Sequence, residues 1–493
     1  MENQLKDKTI KAIGWTSIEK ISFNLVKFVI GIILARLLMP SDYGLVGMLS
    51  IFIGIAMVLV DSGFGNALIQ KKQPQDIDYS TIFLFNIFIG VVGYLIIFFS
   101  ARAIANFYDS PQLFTITRVF GLIVLINALS VIPITYLKKH LDFKLQTKIS
   151  VLSVIVSGII GIAMAYKGFG VWALIFQTLS RDTLKTVLLW KASKVKIDFR
   201  FSSVSFKSLF GFGSKLLLAG LIDTIFVNIY YVIIAKIYSS VTLGYFSRAR
   251  HFMELSVFSL SEILNKVSFP VFALIQDDQE KLKQVYRKTS KLIAYFTFPS
   301  LIGLIVIADP FVRVLLTEKW MPVVPMLQWL CLGGMLYPLQ ALNLGIIKAK
   351  GRSDLFLGLE IFQKILITLA IFLTYKHGVM GLIYGQVIVS VISYLLNAVF
   401  SGSLINFHFI EQLKDMMPIF FITLVSMGLV YALNFLIPNS YTLLLVLQCV
   451  TGVVLYMVLS RLMRIDIYLQ IKEEMLKRLP VKLKFLTSIL KPR

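Results

Sequence analysis

Cysteine and histidine are scarce in this chain, two and four among 493 residues. Cys331 and Cys449 both lie in apolar surroundings, which excludes a disulfide framework. His140, His251, His377 and His408 are too scattered to hold zinc, so neither a metal centre nor another cofactor is expected. The phosphate-cradling pattern G-x-x-x-x-G-K-[ST] is absent, and with it any sign that this chain hydrolyses ATP. Charged residues make up only 15% of the sequence, and the acidic ones are few: 26 against 49 Lys and Arg, for a net charge of +23. Connections between apolar stretches are short. The longest on one side, near 103–113 and 313–322, carry no catalytic constellation, so an enzyme is not expected.

Apolar residues are what the chain has in excess. They reach 57% of the sequence, with a mean hydropathy of +0.81, where a soluble domain holds about 45–50%. Apolar runs long enough to cross a bilayer recur from one centred near residue 25 to one near 452, about fourteen in all. The expected fold is all-α and polytopic. Lys and Arg gather in alternate connections, beginning with the N-terminus, while the other set holds only Lys167, Arg313, Lys319 and Lys376, with Arg102 and Arg118 at span ends. That is the positive-inside pattern, and it puts both termini in the cytoplasm. The basicity thus answers to topology and anionic membrane lipid, and no nucleic acid partner is expected. Lys6, Lys8 and Lys11 precede a long, charge-interrupted run without a small-residue cleavage site, which reads as a retained first span.

The sequence repeats. ILARLLMPSDYGLV (33–46) lines up with IIAKIYSSVTLGYF (233–246) at an offset of 200, matching Ala35 to Ala235, Arg36 to Lys236 and Gly44 to Gly244. LKKHLDF (137–143) corresponds to IKAKGRSDL (347–355), and GFGVWALIF (168–176) to KHGVMGLIY (376–384), in the same order. The reading is two six-helix lobes, 1–195 and 196–405, then two further spans (406–465) and a basic tail (466–493). Six is even, so the lobes enter the membrane in the same direction and are related by a pseudo-twofold along its normal, with a cavity between them. Alternating access would come from rocking one lobe against the other.

Charge inside the spans points to transport. An ionisable group deep in a bilayer costs roughly 2.5–3.5 kcal/mol, so it faces a partner or a wet cavity. Ser17, Lys20, Asn24, Lys27 and Gly31 recur at helical spacing, giving the first span a polar, cationic face. Candidate cavity residues for an anionic headgroup are Lys20, Asn24, Lys27, Arg181, Lys215, Arg250 and His251. Candidate coupling or counter-ion carboxylates are Glu19, Asp61, Asp223, Glu254 and Glu262. Span 8 is the most polar, with His251, Glu254, Phe258, Glu262 and Asn265 on one stripe. Blander roles also fit: Lys20, Arg181 and Lys185 near the inner end, and Arg248 and Arg250 near the outer, could reach headgroups.

The phrases ARLLMPSDYGLVGM (35–48), DSGFGNALIQKK (61–72), YLKKHLDFK (136–144), GFGVWALIFQ (168–177), LGYFSRAR (243–250), FPVFALIQDD (269–278), TEKWMPVVP (317–325) and KGRSDL (350–355) come in a specific order. Over residues 10–405 the chain resembles the Wzx-type polysaccharide flippases. These form the polysaccharide-transport branch of the multidrug/oligosaccharidyl-lipid/polysaccharide exporter superfamily. The resemblance implies two six-helix bundles in a bacterial cytoplasmic membrane. It implies passage of an undecaprenyl-diphosphate-type oligosaccharide from inner to outer leaflet for O-antigen, capsule or exopolysaccharide, alongside a polymerase and other pathway proteins. Lys20 and Lys27 occupy places comparable to basic residues that meet the diphosphate in related flippases. Arg181 and Asp182 depart from the mostly uncharged span 6 the family implies. The alternative is a cation-coupled multidrug antiporter of the same superfamily, but such a site wants carboxylates, and the lysines of span 1 argue against it.

Overall fold

Proline and short polar residues punctuate the helices. A computed structural model describes residues 23–61, 63–193, 195, 197–436 and 440–478; the side chains of 212, 215, 258–267, 269 and 474–478 are not described. Helix α1, Phe23–Leu37, stops before Pro40, which drives Met39 into extended backbone and opens α2, Pro40–Met48, at its first position. The two helices meet at 117°. The Asp42 carboxylate accepts the Met39 N–H at 2.8 Å. At the repeated junction the Ser239 hydroxyl accepts the Thr242 N–H at 3.1 Å and opens a helix at Ser240, the equivalent of Pro40.

The remaining helices are α3 (Ser50–Asp61), α4 (Phe64–Gln70), α5 (Asp76–Phe107), α6 (Leu113–Lys139), α7 (Phe143–Tyr166), α8 (Val171–Ala192), α9 (Ser203–Ile237) and α10 (Ser240–Leu274). They continue as α11 (Gln279–Leu315), α12 (Val323–Gly334), α13 (Tyr337–Ala349), α14 (Ser353–Thr374), α15 (Gly378–Leu404), α16 (Phe409–Leu436), α17 (Tyr441–Leu462) and α18 (Asp466–Arg478). Among the described residues, ten helical stretches are long and apolar enough to cross a membrane, or eleven with the bent α1–α2 pair; one of them, Ser353–Leu404, holds both α14 and α15. Helices α8 and α10 are not among them, and both carry charge in their middles. The all-α membrane fold is therefore established; length and hydropathy alone do not fix the number of crossings at fourteen.

By contacts the chain divides into Met1–Arg248 and Ala249–Arg493. In the first unit α5 packs on α6, α7 and α6 on α8, and α3 along α9. Its core gathers Phe64, Leu68, Tyr79, Phe83, Ile132 and Leu209. Lys139, at the end of α6, donates to the carbonyls of Leu68 (3.1 Å), Ile69 (3.0 Å) and Lys71, so all three ammonium protons cap the end of α4.

In the second unit α11 carries α12, α16 and α17, and α15 packs on α12, α13 and α14. Lys350, one residue beyond the repeat equivalent of Lys139, donates to Gln276 O at 2.5 Å just beyond α10. The capped ends share a sequence, Ala-Leu-Ile-Gln, at 67–70 and 273–276. Helix α14 buries no residue and turns Leu357, Ile361, Ile365 and Phe372 outward, as contact with lipid requires.

A buried polar knot ties the second unit together. The Tyr286 hydroxyl sits 2.5 Å from Asn343 Oδ1 and 2.9 Å from Gln412 Oε1, while Ser401 also donates to Asn343 Oδ1 at 2.8 Å. Tyr286→Phe leaves Gln412 Oε1 without its donor and should cost about 1–3 kcal/mol. A lowered thermal midpoint in detergent checks it; an unchanged midpoint would mean the knot is dispensable. Nearby, Asp415 on α16 pairs with Arg287 and, at 3.4 Å, with Lys291, which reaches Asp466 of α18 at 3.6 Å.

Candidate functional site

Backbone meets backbone where α2 and α10 begin, inside the first unit. A Cβ on Gly44 would lie 1.8 Å from the Ser240 carbonyl oxygen, and one on Gly244 would lie 1.9 Å from that of Pro40. At the repeat offset of 200, Gly44 is equivalent to Gly244 and Pro40 to Ser240, so the contact is reciprocal: each first turn seats its glycine on the partner's first carbonyl. Only glycine allows this approach, the device by which small residues let membrane helices close. Two copies of one sequence element thus pack about a local pseudo-twofold. Farther along, Gly54 of α3 faces Thr224 and Asn228 of α9, and Gly220 faces Val58.

The crossing fixes Arg248. It lies one turn after Gly244 on the same face of α10. Its guanidinium carbon stands 3.8 Å over the Tyr43 ring, and its Nη1 is 3.7 Å from where a Gly31 Cβ would be. Arg248 Nε is sealed from solvent with no hydrogen-bond partner among the described residues. Gly31 belongs to the polar face of α1, and Lys27 lies about one turn along that face, about 6 Å of rise away. Lys27 is exposed and Asn24 half-buried, and both have interactions of their own. Arg248 thus stands on an aromatic ring beside Gly31, and Lys27 follows one turn along α1; cations of this kind offer an anion charge-assisted hydrogen bonds.

The other sequence-derived candidates scatter. Glu19 and Lys20 lie outside the described residues, as do the side chains of Lys215 and Glu262. Arg181 holds Asp182 through two hydrogen bonds of 2.8 and 3.1 Å, so these two adjacent charges of α8 engage each other. Arg250 pairs with Glu254 at 2.8 Å, one turn along α10 in the second unit, beside a half-buried His251. Asp61 closes α3 and Asp223 lies on α9, both exposed.

Two features escaped the sequence reading. The first is Arg248, whose Nη1 reaches Gly31 of α1; the i, i+4 spacing from Gly244 was the available signal. The second is a charged pair inside α14, where Lys364 Nζ is 3.5 Å from Glu360 Oε2. Glu360 and Gln363 face Ser393 and Asn397 of α15 across a cavity of about 10 Å³, near the room one water needs. Their spacing within an apolar run was visible in the sequence.

Charged groups held within a bundle of apolar helices, with no long polar domain, define a multi-pass membrane transporter. The likeness to known proteins makes the assignment specific. The chain belongs to the polysaccharide biosynthesis protein family, whose model matches residues 33–325. It is 26% identical over 420 residues to the teichuronic acid biosynthesis protein TuaB of Bacillus subtilis, covering 84% of this chain and 86% of that one. It is 25% identical over 445 residues to the lipopolysaccharide biosynthesis protein WzxC of Escherichia coli, covering 88% and 89%. Among solved structures it is similar to the lipid II flippase MurJ in an inward closed conformation, with a TM-score of 0.74, 16% identity, and 93% and 99% of the two chains covered. The fold is also similar to that of an inward-facing multidrug resistance MATE family transporter of the MOP superfamily, with a TM-score of 0.61, 16% identity, and 79% and 98% of the two chains covered.

Proposed function

We propose that this protein moves a lipid-linked oligosaccharide, of the undecaprenyl-diphosphate type, from the inner to the outer leaflet of a bacterial cytoplasmic membrane for surface polysaccharide synthesis. The observation that carries the reading is the cationic face of α1 ending against Arg248, in a chain of a polysaccharide biosynthesis family. The names of its relatives, which concern teichuronic acid and lipopolysaccharide, and the flippase fold of MurJ support it.

The physical problem is the headgroup. About 30 Å of hydrocarbon separates the leaflets, and each unsatisfied polar group in it costs several kcal/mol. A polar, cationic passage removes that cost while the lipid tail stays in the bilayer. Lys27 and Arg248 are assigned to the diphosphate, with Asn24 beside them; Lys20, Lys215, Arg181, Arg250 and His251 stay as further candidates for headgroup or glycan. With the interior negative, a diphosphate moving outward gains about 2.3 kcal/mol per charge per 100 mV, so membrane potential can drive the step without ATP. Glu19, Asp61, Asp223, Glu254 and Glu262 stay as candidates for ion coupling.

In this reading both termini are cytoplasmic, and the α1–α2 and α9–α10 junctions lie outside. The lobes are 1–195 and 196–405, a division supported by the reciprocal glycine contact and by the shared Lys-capped Ala-Leu-Ile-Gln ends. A polymerase working on the outer face is the expected pathway partner.

Deleting the protein should make the lipid-linked precursor accumulate in the inner leaflet, measured by leaflet-resolved labelling of intact cells and spheroplasts. Precursor reaching the outer leaflet at the normal rate would end the proposal. Lys27→Ala should slow translocation about tenfold or more, the loss of one charge-assisted contact, at an unchanged thermal midpoint. If that variant transports normally, Lys27 is not a headgroup ligand.

A further inference from the structure

Arg102 is one of the few cations that run against the charge asymmetry of the sequence. Arg102, near the end of α5, lies on the side where Lys and Arg are otherwise sparse. Three other cations are engaged. Arg118 stacks on Phe98 at 4.2 Å and on Phe114 at 4.0 Å; Lys236 reaches Asp109 Oδ2 at 2.8 Å; Arg313 holds Asp309 at 2.9 Å. Arg102 is exposed and makes no hydrogen bond or ion pair among the described residues. It opens instead onto a cleft of about 710 Å³, lined also by Asn106, Asp109, Ser110 and Phe114. That volume is in the range of small-molecule sites, about 300–1,000 Å³.

The cleft is built on a rigid corner. Arg102, Asn106 and Asp109 follow one stripe at i, i+4 and i+7, over the last turns of α5 and just beyond them. The Ser110 N–H donates to Ala105 O at 2.9 Å and the Asp109 N–H to Asn106 O at 3.2 Å, which holds Asp109 at φ +52 and closes the helix end. Arg118, stacked on Phe114, fixes the orientation of that ring. The bridge from Asp109 to Lys236 ties the corner to the end of α9, four residues before Ser240 and the reciprocal glycine contact.

We propose that this cleft is a saccharide subsite on the outer face, selective for a sugar bearing a carboxylate. The guanidinium of Arg102 matches a carboxylate with paired N–H groups, the Asn106 amide and Ser110 hydroxyl match ring hydroxyls, and the Phe114 ring offers an apolar wall. This assignment rests on the flippase reading: a glycan emerging beside the α9–α10 junction meets the cleft before it can drift back. It adds a binding group that the headgroup site on α1 lacks, acting on the sugar rather than on the diphosphate.

The test uses the full-length protein in nanodiscs of phosphatidylcholine, probed by saturation-transfer NMR and calorimetry. The probes are a hyaluronan tetrasaccharide, which carries glucuronate, and neutral maltotetraose. The acidic tetrasaccharide should bind and the neutral one should bind at least about tenfold more weakly. Arg102→Ala should lose the acidic preference and Asn106→Ala should weaken both sugars, each variant keeping the wild-type thermal midpoint. No binding by the wild type, or equal binding by Arg102→Ala, overturns the subsite. So does loss of binding in discs containing phosphatidylglycerol, which would make the cleft a lipid headgroup site. Precursor flipping by the same preparation is measured in parallel: flipping without tetrasaccharide binding removes the subsite and leaves the flippase reading intact, whereas no flipping removes that reading.

Discussion

Gly44→Ala should lower the thermal midpoint by several degrees and abolish most translocation. The new methyl would sit 1.8 Å from the Ser240 carbonyl oxygen, so the two helices must separate. The obstruction is backbone, with no flexible side chain to swing away, and such overpacking costs about 1–3 kcal/mol or more. The reciprocal geometry makes the prediction sharper. Gly244→Ala should behave like Gly44→Ala, since its methyl meets Pro40 O at 1.9 Å. The double variant should fall well short of the sum, because one separation relieves both clashes. Gly358→Ala is the control: nothing lies within 4 Å of that Cβ, and alanine in an open helix position gains up to about 1 kcal/mol. Additive effects at 44 and 244 would mean that the two contacts are independent and that the pseudo-symmetric packing has no mechanical significance.

Arg248→Met should stop translocation while leaving the fold intact. A half-buried guanidinium with a sealed, unbonded Nε contributes little to stability; replacing such a charge by an apolar side chain of similar length is often neutral or stabilising. In the proposed reading its value lies in offering donors to an incoming anion. The translocation rate should therefore drop at least about tenfold, with the thermal midpoint level or raised. Arg248→Lys should not restore the rate, because an ammonium lacks the planar stacking on Tyr43 and the paired donors. Tyr43→Phe keeps the ring under Arg248 and should transport, whereas Tyr43→Leu removes the platform and should not. Normal flipping by Arg248→Met would remove this residue from the headgroup site.

The polar face of α1 was legible because a helical period in a sequence states which residues share a side. Arg248 is the cation that the sequence did not single out. Two residues apart on α10, Arg248 and Arg250 point to different sides of the helix, and the seating of Gly244 on Pro40 is what brings Arg248 to Gly31 of α1. Arg181 and Asp182 were equally open from the sequence, as a substrate contact or as a pair. The backbone of α8 turns them toward each other, which uses one charge to hold the other. The second lysine of the 137–143 phrase, Lys139, illustrates the same point. A basic loop residue looks solvent-facing until the end of α4 brings three carbonyls to its ammonium group.

By itself, then, the amino-acid order determined the solvent this protein lives in, its side-to-side charge bias, its duplication and the cationic stripe of its first span. Those properties are sums or periods over neighbouring residues, and need no knowledge of the rest of the chain. Which cation stands free, which is spent on a carbonyl or a carboxylate, and which glycine admits a backbone were decided by tertiary structure. Each of those outcomes depends on an atom supplied from elsewhere in the chain, or on the rotation of a helix about its own axis, and neither is written in local sequence.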